Sequence, residues 1–290
     1  MLVDLVRTTT RDGVQLDAAL QSPAVPAQIG VDGFCLVHGT GSNFYSSGLL
    51  SDVAERLLQL GSAVLRINTR GHDGISTAVT PQGGKRLGAA YEIVDDCRHD
   101  LAAWVTWLRQ RIGPRIGLVG HSMGAVKALY AAAHEADLQP AVIVAISPPR
   151  LSYSAFCTGA QRTEFLDTFT RAEQFVAQAE PGRLMEVRVP LPFVITAAGY
   201  VEKYGPDERY NFLKFLADVR CPTLITLGAK ELQNNVAFQG LPLELEQLTS
   251  ARPQVQMIPG ADHFYTGTRT ELVNVVARWL GGALPAGTTF

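Results

Sequence analysis

The sequence predicts an α/β fold: a mostly parallel twisted sheet with helices on both faces and an inserted helical cap. Three observations predict it. Short apolar runs without alternation, such as GFCLVHG at 33–39 and SAVLRIN at 62–68, read as strands covered on both faces. Segments with apolar residues at helical spacing separate those runs, and strand–helix alternation is the pattern of a parallel sheet with crossover helices. The rhythm breaks after Ser147-Pro148-Pro149 and resumes near Cys221, so a stretch of different character is set into the α/β unit.

Taken in order, the chain opens with two alternating segments around Asp12-Gly13, which predict a hairpin. The strand at 33–39 is followed by Leu49, Leu50, Val53, Ala54, Leu57 and Leu58 at helical spacing, with Gly61 where a helix stops. After the strand at 62–68, Ile93, Cys97, Leu101, Trp104 and Leu108 form one helical stripe that ends near Gly113-Pro114. RIGLVG at 115–120 predicts a strand, Ser122 to about His134 a helix, and AVIVAIS at 141–147 another strand. Residues 150–218 are helix-prone, irregular and hold about half of the aromatic residues. CPTLITLG at 221–228 and QVQMIPG at 254–260 predict strands, ELVNVVARWL at 271–280 a closing helix, and LPAGTTF at 284–290 a loose tail. Residues 1–149 and 219–290 thus make one core domain, and 150–218 the cap.

Composition narrows the function. With 47% hydrophobic and 18% charged residues and a net charge of −2, the 290-residue chain is an ordinary globular protein without the basic excess of a nucleic-acid binder. Asp4, Arg7 and Arg11 interrupt the first apolar residues, so no signal-peptide core forms, and no apolar run reaches membrane-spanning length. Cys35, Cys97, Cys157 and Cys221 share no C-x-x-C spacing and read as reduced, mostly buried thiols, which suits a cytoplasmic protein. Neither GTGS at 39–42 nor GGKR at 83–86 completes a nucleotide-binding fingerprint. Asp96, His99 and Asp100 share a helix face and read as a solvated surface rather than a metal site, so neither cofactor nor metal is expected.

Gly120-His121-Ser122-Met123-Gly124 fits G-x-S-x-G, with a strand running in and a helix running out. A turn that tight strains the serine and leaves no room for side chains two positions either side, which glycine resolves; the hydroxyl is then raised above the carboxyl edge of the sheet. Serine needs a base. His121 is expected to point away, His99 and His134 fall on polar helix faces, and His72 lies in a loop. His263, after the last strand, lies at the same sheet edge as Ser122. A carboxylate must hold the imidazole in its tautomer. Glu231, three residues beyond the strand ending in Gly228, has that place; Asp262 would face another way, and Asp207 and Asp218 are alternatives under a shifted register.

VHGTGSNFY, NTRGHDGIS, GHSMG and GADHFY together resemble the α/β-hydrolase-fold superfamily over nearly all of the chain outside the cap. The resemblance implies that the backbone amides of Thr40 and Met123 form an oxyanion hole. The chain departs from the family's pattern at Glu231, where aspartate is commoner, and at Asn68, where many relatives carry a non-catalytic aspartate. The expected activity is hydrolysis of a small or medium ester by Ser122, His263 and Glu231, by a monomer or homodimer that binds neither nucleic acid nor membrane. An aminopeptidase or amidase is the alternative, with Glu164, Glu173, Glu180 or Glu186 as an amine anchor, and a slow ligand-binding relative is another. The aromatic residues of 150–218 are expected to divide between an apolar pocket over the serine and the packing of the cap. Arg162, Arg171, Arg183, Arg188 and Lys203 read mostly as solvated surface.

Overall fold

The computed structural model describes residues 3–248 and 253–284. The expected hairpin forms from β1 (Asp4–Thr9) and β2 (Gln15–Gln21), antiparallel around Gly13 at φ +84°. β3 (Gly33–Val37), α1 (Gly48–Gln59) and β4 (Ala63–Ile67) follow as expected. Next comes a small hairpin of β5 (Ser76–Thr80) and β6 (Gly83–Leu87), which the sequence pattern did not announce. Most of its residues are exposed, so burial imprints no period on it. α2 (Cys97–Arg109), β7 (Ile116–His121), α3 (Met123–His134) and β8 (Ile143–Ile146) continue the alternation. The following segment holds α4 (Tyr153–Thr158), α5 (Arg162–Ala177), β9 (Leu184–Val187), β10 (Phe193–Thr196) and α6 (Ala197–Tyr204). β11 (Thr223–Gly228), the one-turn α7 (Glu231–Asn234), α8 (Leu241–Gln247), β12 (Gln254–Ile258) and α9 (Arg269–Ala283) complete the chain. The tail expected at 284–290 lies outside the described residues beyond Leu284.

The main sheet has eight strands in the order β1-β2-β4-β3-β7-β8-β11-β12. β4, β3, β7, β8, β11 and β12 run parallel, while β1 and β2 are antiparallel additions at one edge. From β3 the chain first steps outward to β4, then returns to lay β7 on the other side of β3. Strand order therefore reverses between β3 and β7, and at such a switch point the loops leaving the two carboxyl ends diverge and open a crevice. Those loops carry Thr40 and Ser122.

Both faces of the sheet are covered. Cys35, Val37, Leu65 and Leu118 point into one cluster with Leu101 and Trp104 of α2 and Val126 and Leu129 of α3. Phe34, Leu36, Val64 and Val119 point into the other, with Leu50, Val53 and Leu57 of α1 and Leu272, Val276 and Leu280 of α9. That alternation along fully buried strands explains why the runs looked continuously apolar.

The stretch 150–218 is less helical than its sequence suggested, because β9 and β10 form a separate two-stranded sheet. Met185 and Val187 are buried between exposed Leu184 and Glu186. All eleven of its aromatic residues join the cluster on the α2–α3 face: eight are buried, and Tyr153, Phe175 and Phe193 are partly so. Tyr210 and Phe215 stand edge-on to Tyr130 of α3 at 5.0 and 5.3 Å, which ties the stretch to the helix that follows Ser122. Packing, rather than a pocket lining, accounts for most of these rings. Lys203, expected at the surface, is buried at 3% exposure.

One further expectation is corrected. Asp100 does not face solvent: it is fully buried and takes three hydrogen bonds from Arg70, which also reaches Asp12 and Asp96. His99 accepts from Arg11 at 2.6 Å. The polar side of α2 is thus the site of a buried arginine held by three carboxylates, since a charge taken from water needs such partners.

Candidate active site

Ser122 occupies the turn between β7 and α3 with φ +56° and ψ −126°. The glycines around it have no alternative. A Cβ on Gly120 would stand 2.3 Å from the Gly124 carbonyl oxygen, and one on Gly124 would stand 2.2 Å from that of Val37. Ser122 N–H donates to the Ile146 carbonyl at 2.9 Å, and its own carbonyl accepts from Ala125 and Val126 to start the helix. The strained backbone is therefore pinned at both ends, with the side chain left free above the sheet edge.

His263 Nε2 lies 2.9 Å from Ser122 Oγ, and Nδ1 lies 3.3 Å from Glu231 Oε2. Because a carboxylate only accepts, Nδ1 carries the proton, and the Nε2 lone pair faces the serine hydroxyl. Glu231 is 5% exposed; its Oε1 accepts from Ser147 Oγ at 2.5 Å and from the Gly228 amide at 3.2 Å. Tyr265 OH bonds Ser147 Oγ at 2.9 Å and Thr226 Oγ1 at 3.0 Å, so the hydroxyl that holds Glu231 is itself held. Burial pushes the Tyr265 phenol well above the usual range, which keeps it neutral within this network.

Thr40 follows Gly39, which is pressed against the serine: a Cβ there would lie 3.1 Å from Ser122 Cβ. Met123 is the first residue of α3, so its amide is among those a helix leaves without a carbonyl partner of its own. Under the 38–40 turn, His38 Nδ1 donates to the Gly39 carbonyl at 2.9 Å, and Nε2 accepts from Thr69 N–H at 3.2 Å. Burial, then the nearby Lys127, pull His38 down to about 3, so the ring is neutral at ordinary pH. The arrangement offers a hydroxyl with a base at hydrogen-bond distance and a carboxylate that orients the base, a set suited to nucleophilic acyl transfer.

A model of the alpha/beta hydrolase family matches residues 36–275. The chain belongs to the alpha/beta hydrolase family. Solved structures agree in fold with this hydrolase. One is an esterase of Pyrococcus furiosus, 20% identical over 98% of this chain and 92% of that one, with a TM-score of 0.62. Est1E from Butyrivibrio proteoclasticus, solved with ferulic acid bound, is 19% identical over 95% of this chain and 98% of its own, with a TM-score of 0.65. The alpha/beta hydrolase GrgF from Penicillium sp. sh18 is 15% identical over 98% and 99% of the two chains, with a TM-score of 0.70. Among curated protein sequences none matches the chain.

Within this alpha/beta hydrolase, the carboxylates weighed against Glu231 lie elsewhere. Asp262 Oδ1 accepts from the amides of Phe264 and Thr266 and shapes the turn after the histidine. Asp218 precedes β11, at the opposite end of that strand from Glu231, and lines a groove with His134 and Cys221. Asp207 offers its carbonyl to Lys214. His121 does not point away, as the sequence suggested. Its ring centroid is 4.9 Å from that of His263, and its Nε2 is 2.8 Å from the His263 carbonyl. Burial, then His263 itself, lower His121 to about 3, so it stays neutral and donates that bond. Sequence reasoning also missed Ser147, Tyr265 and Phe238, whose ring stands 5.6 Å from the imidazole. Ser147 immediately follows β8, at the same sheet edge as the other groups, and that position was the signal available.

A groove of about 860 Å³ runs between α5 and β9, where Glu164, Arg171, Arg183, Glu186 and Arg188 line it; Ser122 and His263 do not. The four cysteines are free. Among the described residues, no group of three or more His, Cys, Asp or Glu is placed to hold a metal ion, and no helix is long and apolar enough to cross a membrane.

Proposed function

We propose that the chain is a serine hydrolase cleaving small or medium carboxylic esters through an acyl-enzyme. The observation that carries the reading is the hydrogen-bonded series from Ser122 Oγ to His263 Nε2 at 2.9 Å and from His263 Nδ1 to Glu231 at 3.3 Å. Ser122 attacks the ester carbonyl while His263 takes its proton; Glu231 stabilises the imidazolium that forms. The amides of Thr40 and Met123 receive the negative charge on the carbonyl oxygen, one such donor being worth about 3 kcal/mol. His263 then protonates the leaving alcohol. Water, activated by the same imidazole, releases the acid and restores Ser122. Residues 150–218 act as the cap that borders the substrate. The esterases among the structural neighbours support the choice of an ester over other acyl groups.

A fluorophosphonate probe and a chain-length series of p-nitrophenyl esters test the reading. Wild-type protein is expected to label and to hydrolyse the series, and Ser122→Ala to do neither while melting within a few degrees of wild type. Undiminished hydrolysis by Ser122→Ala would refute it.

A further inference from the structure

The 38–40 turn rests on buried charges that the reaction just described does not use. Lys127 lies on α3, just over one turn beyond Ser122, and is fully buried. Its ammonium pairs with the Glu92 carboxylate and donates to Thr69 Oγ1 at 3.2 Å. Thr69 Oγ1 is in turn 3.3 Å from His38 Nε2, which also accepts the Thr69 amide. Two groups thus aim at Nε2 as donors, so the proton resides on Nδ1, which holds the Gly39 carbonyl. In a trans peptide the carbonyl and the next N–H point to opposite sides. Fixing Gly39 O therefore fixes the direction of the Thr40 amide.

Nothing in packing alone asks for a lysine here. An apolar side chain would fill the space, and a buried ion pair returns little net stability against the loss of hydration. What an apolar residue cannot do is keep the Thr69 hydroxyl turned. With Lys127 donating to its oxygen, the hydroxyl proton is directed to His38. Without the ammonium, nothing holds the hydroxyl in that orientation, and Nε2 loses a fixed donor. Glu92 lies close against Gly71, where a Cβ would stand 1.9 Å from its Oε1, so the glycine leaves the carboxylate its place beside Lys127. Lys203 of α6, buried nearby, adds a second positive charge acting on the same carboxylate.

We propose that Lys127, anchored by Glu92, is a positioning residue for the Thr40 amide and acts through Thr69 and His38. The proposal rests on the serine-hydrolase reading above. Lys127→Met is expected to lower kcat on p-nitrophenyl esters by about 10- to 100-fold, part of the loss that follows removal of an oxyanion donor, with KM within about twofold. A peptidyl or alkyl boronic acid, whose adduct with serine places an oxygen on those amides, loses affinity by a similar factor. Nitrogen-15 resonances of His38 report the Nδ1–H tautomer in wild type, and the Nε2 resonance shifts in Lys127→Met as that nitrogen loses one of its two donors while the Thr69 amide remains, with no substrate present. His38→Asn, whose amide nitrogen can stand where Nδ1 does, retains more activity than His38→Leu. Thr69→Val, which removes only the hydroxyl, repeats the losses in milder form and serves if Lys127→Met does not fold. A folded Lys127→Met or Thr69→Val protein with wild-type kcat, boronate affinity and His38 resonances overturns this inference alone. A wild-type protein that neither labels nor hydrolyses overturns the hydrolase reading instead.

Discussion

Gly124→Ala puts the local geometry to a quantitative test. The added methyl would lie 2.2 Å from the Val37 carbonyl oxygen, 2.5 Å from that of His38 and 2.7 Å from the Val37 carbonyl carbon. All three are backbone atoms of the strand and turn that carry Thr40, so no side chain can swing aside. Restoring ordinary contact requires α3 to retreat from β3 by about 1 Å, and Ser122 and the Met123 amide travel with it. Overpacking of this kind costs about 1–3 kcal/mol, which for a chain of this size lowers Tm by about 2–5 °C. A displacement near 1 Å between nucleophile and oxyanion donors costs about 100-fold in kcat. The assay is p-nitrophenyl ester turnover beside a thermal melt, with Gly182→Ala as control, because a Cβ at Gly182 meets nothing within 4 Å. Equal Tm and kcat in the two variants would refute the argument that the glycine is required by close approach.

Other outcomes follow from the same structure. Glu231→Gln removes the charge that faces His263 Nδ1 and is expected to cut kcat by about 10³–10⁴-fold with Tm nearly unchanged; a loss under tenfold would remove Glu231 from the proposed role. Arg70→Met leaves Asp100 fully buried without its cation and should cost about 3–5 kcal/mol in urea unfolding, whereas Arg7→Met, at an exposed pair with Asp17, should leave the midpoint unmoved. Burial would raise Glu208, yet the Ser154 amide, Asn211 and the hydroxyls of Ser154 and Ser152 bring it from 4.5 down to about 2. Its folded value lies below the unfolded one, so its stabilisation is present above pH 4.5 and disappears as pH falls toward 2. Acid titration should show a steeper loss of stability between pH 4.5 and 2 in wild type than in Glu208→Gln, which keeps only the slope of the other lowered carboxylates such as Asp95.

The central strands were legible because burial on both faces leaves one kind of residue in the run, as in Phe34-Cys35-Leu36-Val37. Ser122, Glu231 and His263 could be singled out because each follows a legible strand at the same edge. The hairpins β5–β6 and β9–β10 were not, since half-exposed strands of four or five residues carry too little periodicity. Asp100 and Lys127 were misread or passed over for another reason. Their environment is set by Arg70 and Glu92, 30 and 35 residues away in sequence, and the polarity of a residue says nothing about a distant partner. His121 looked directed outward because only its backbone position was in view, whereas the carbonyl it binds belongs to residue 263.

The rings of residues 150–218 share one hydrophobic cluster with α2 and α3. This part of the protein is therefore no interchangeable module. Transplanting the corresponding stretch from another family member would expose the flank of the helix that follows Ser122, including Tyr130, and would disturb the candidate site before any new preference could register. Engineering of selectivity is better begun at side chains outside that shared interior, where partly exposed Phe44, Tyr45 and Phe264 can be exchanged without reopening it.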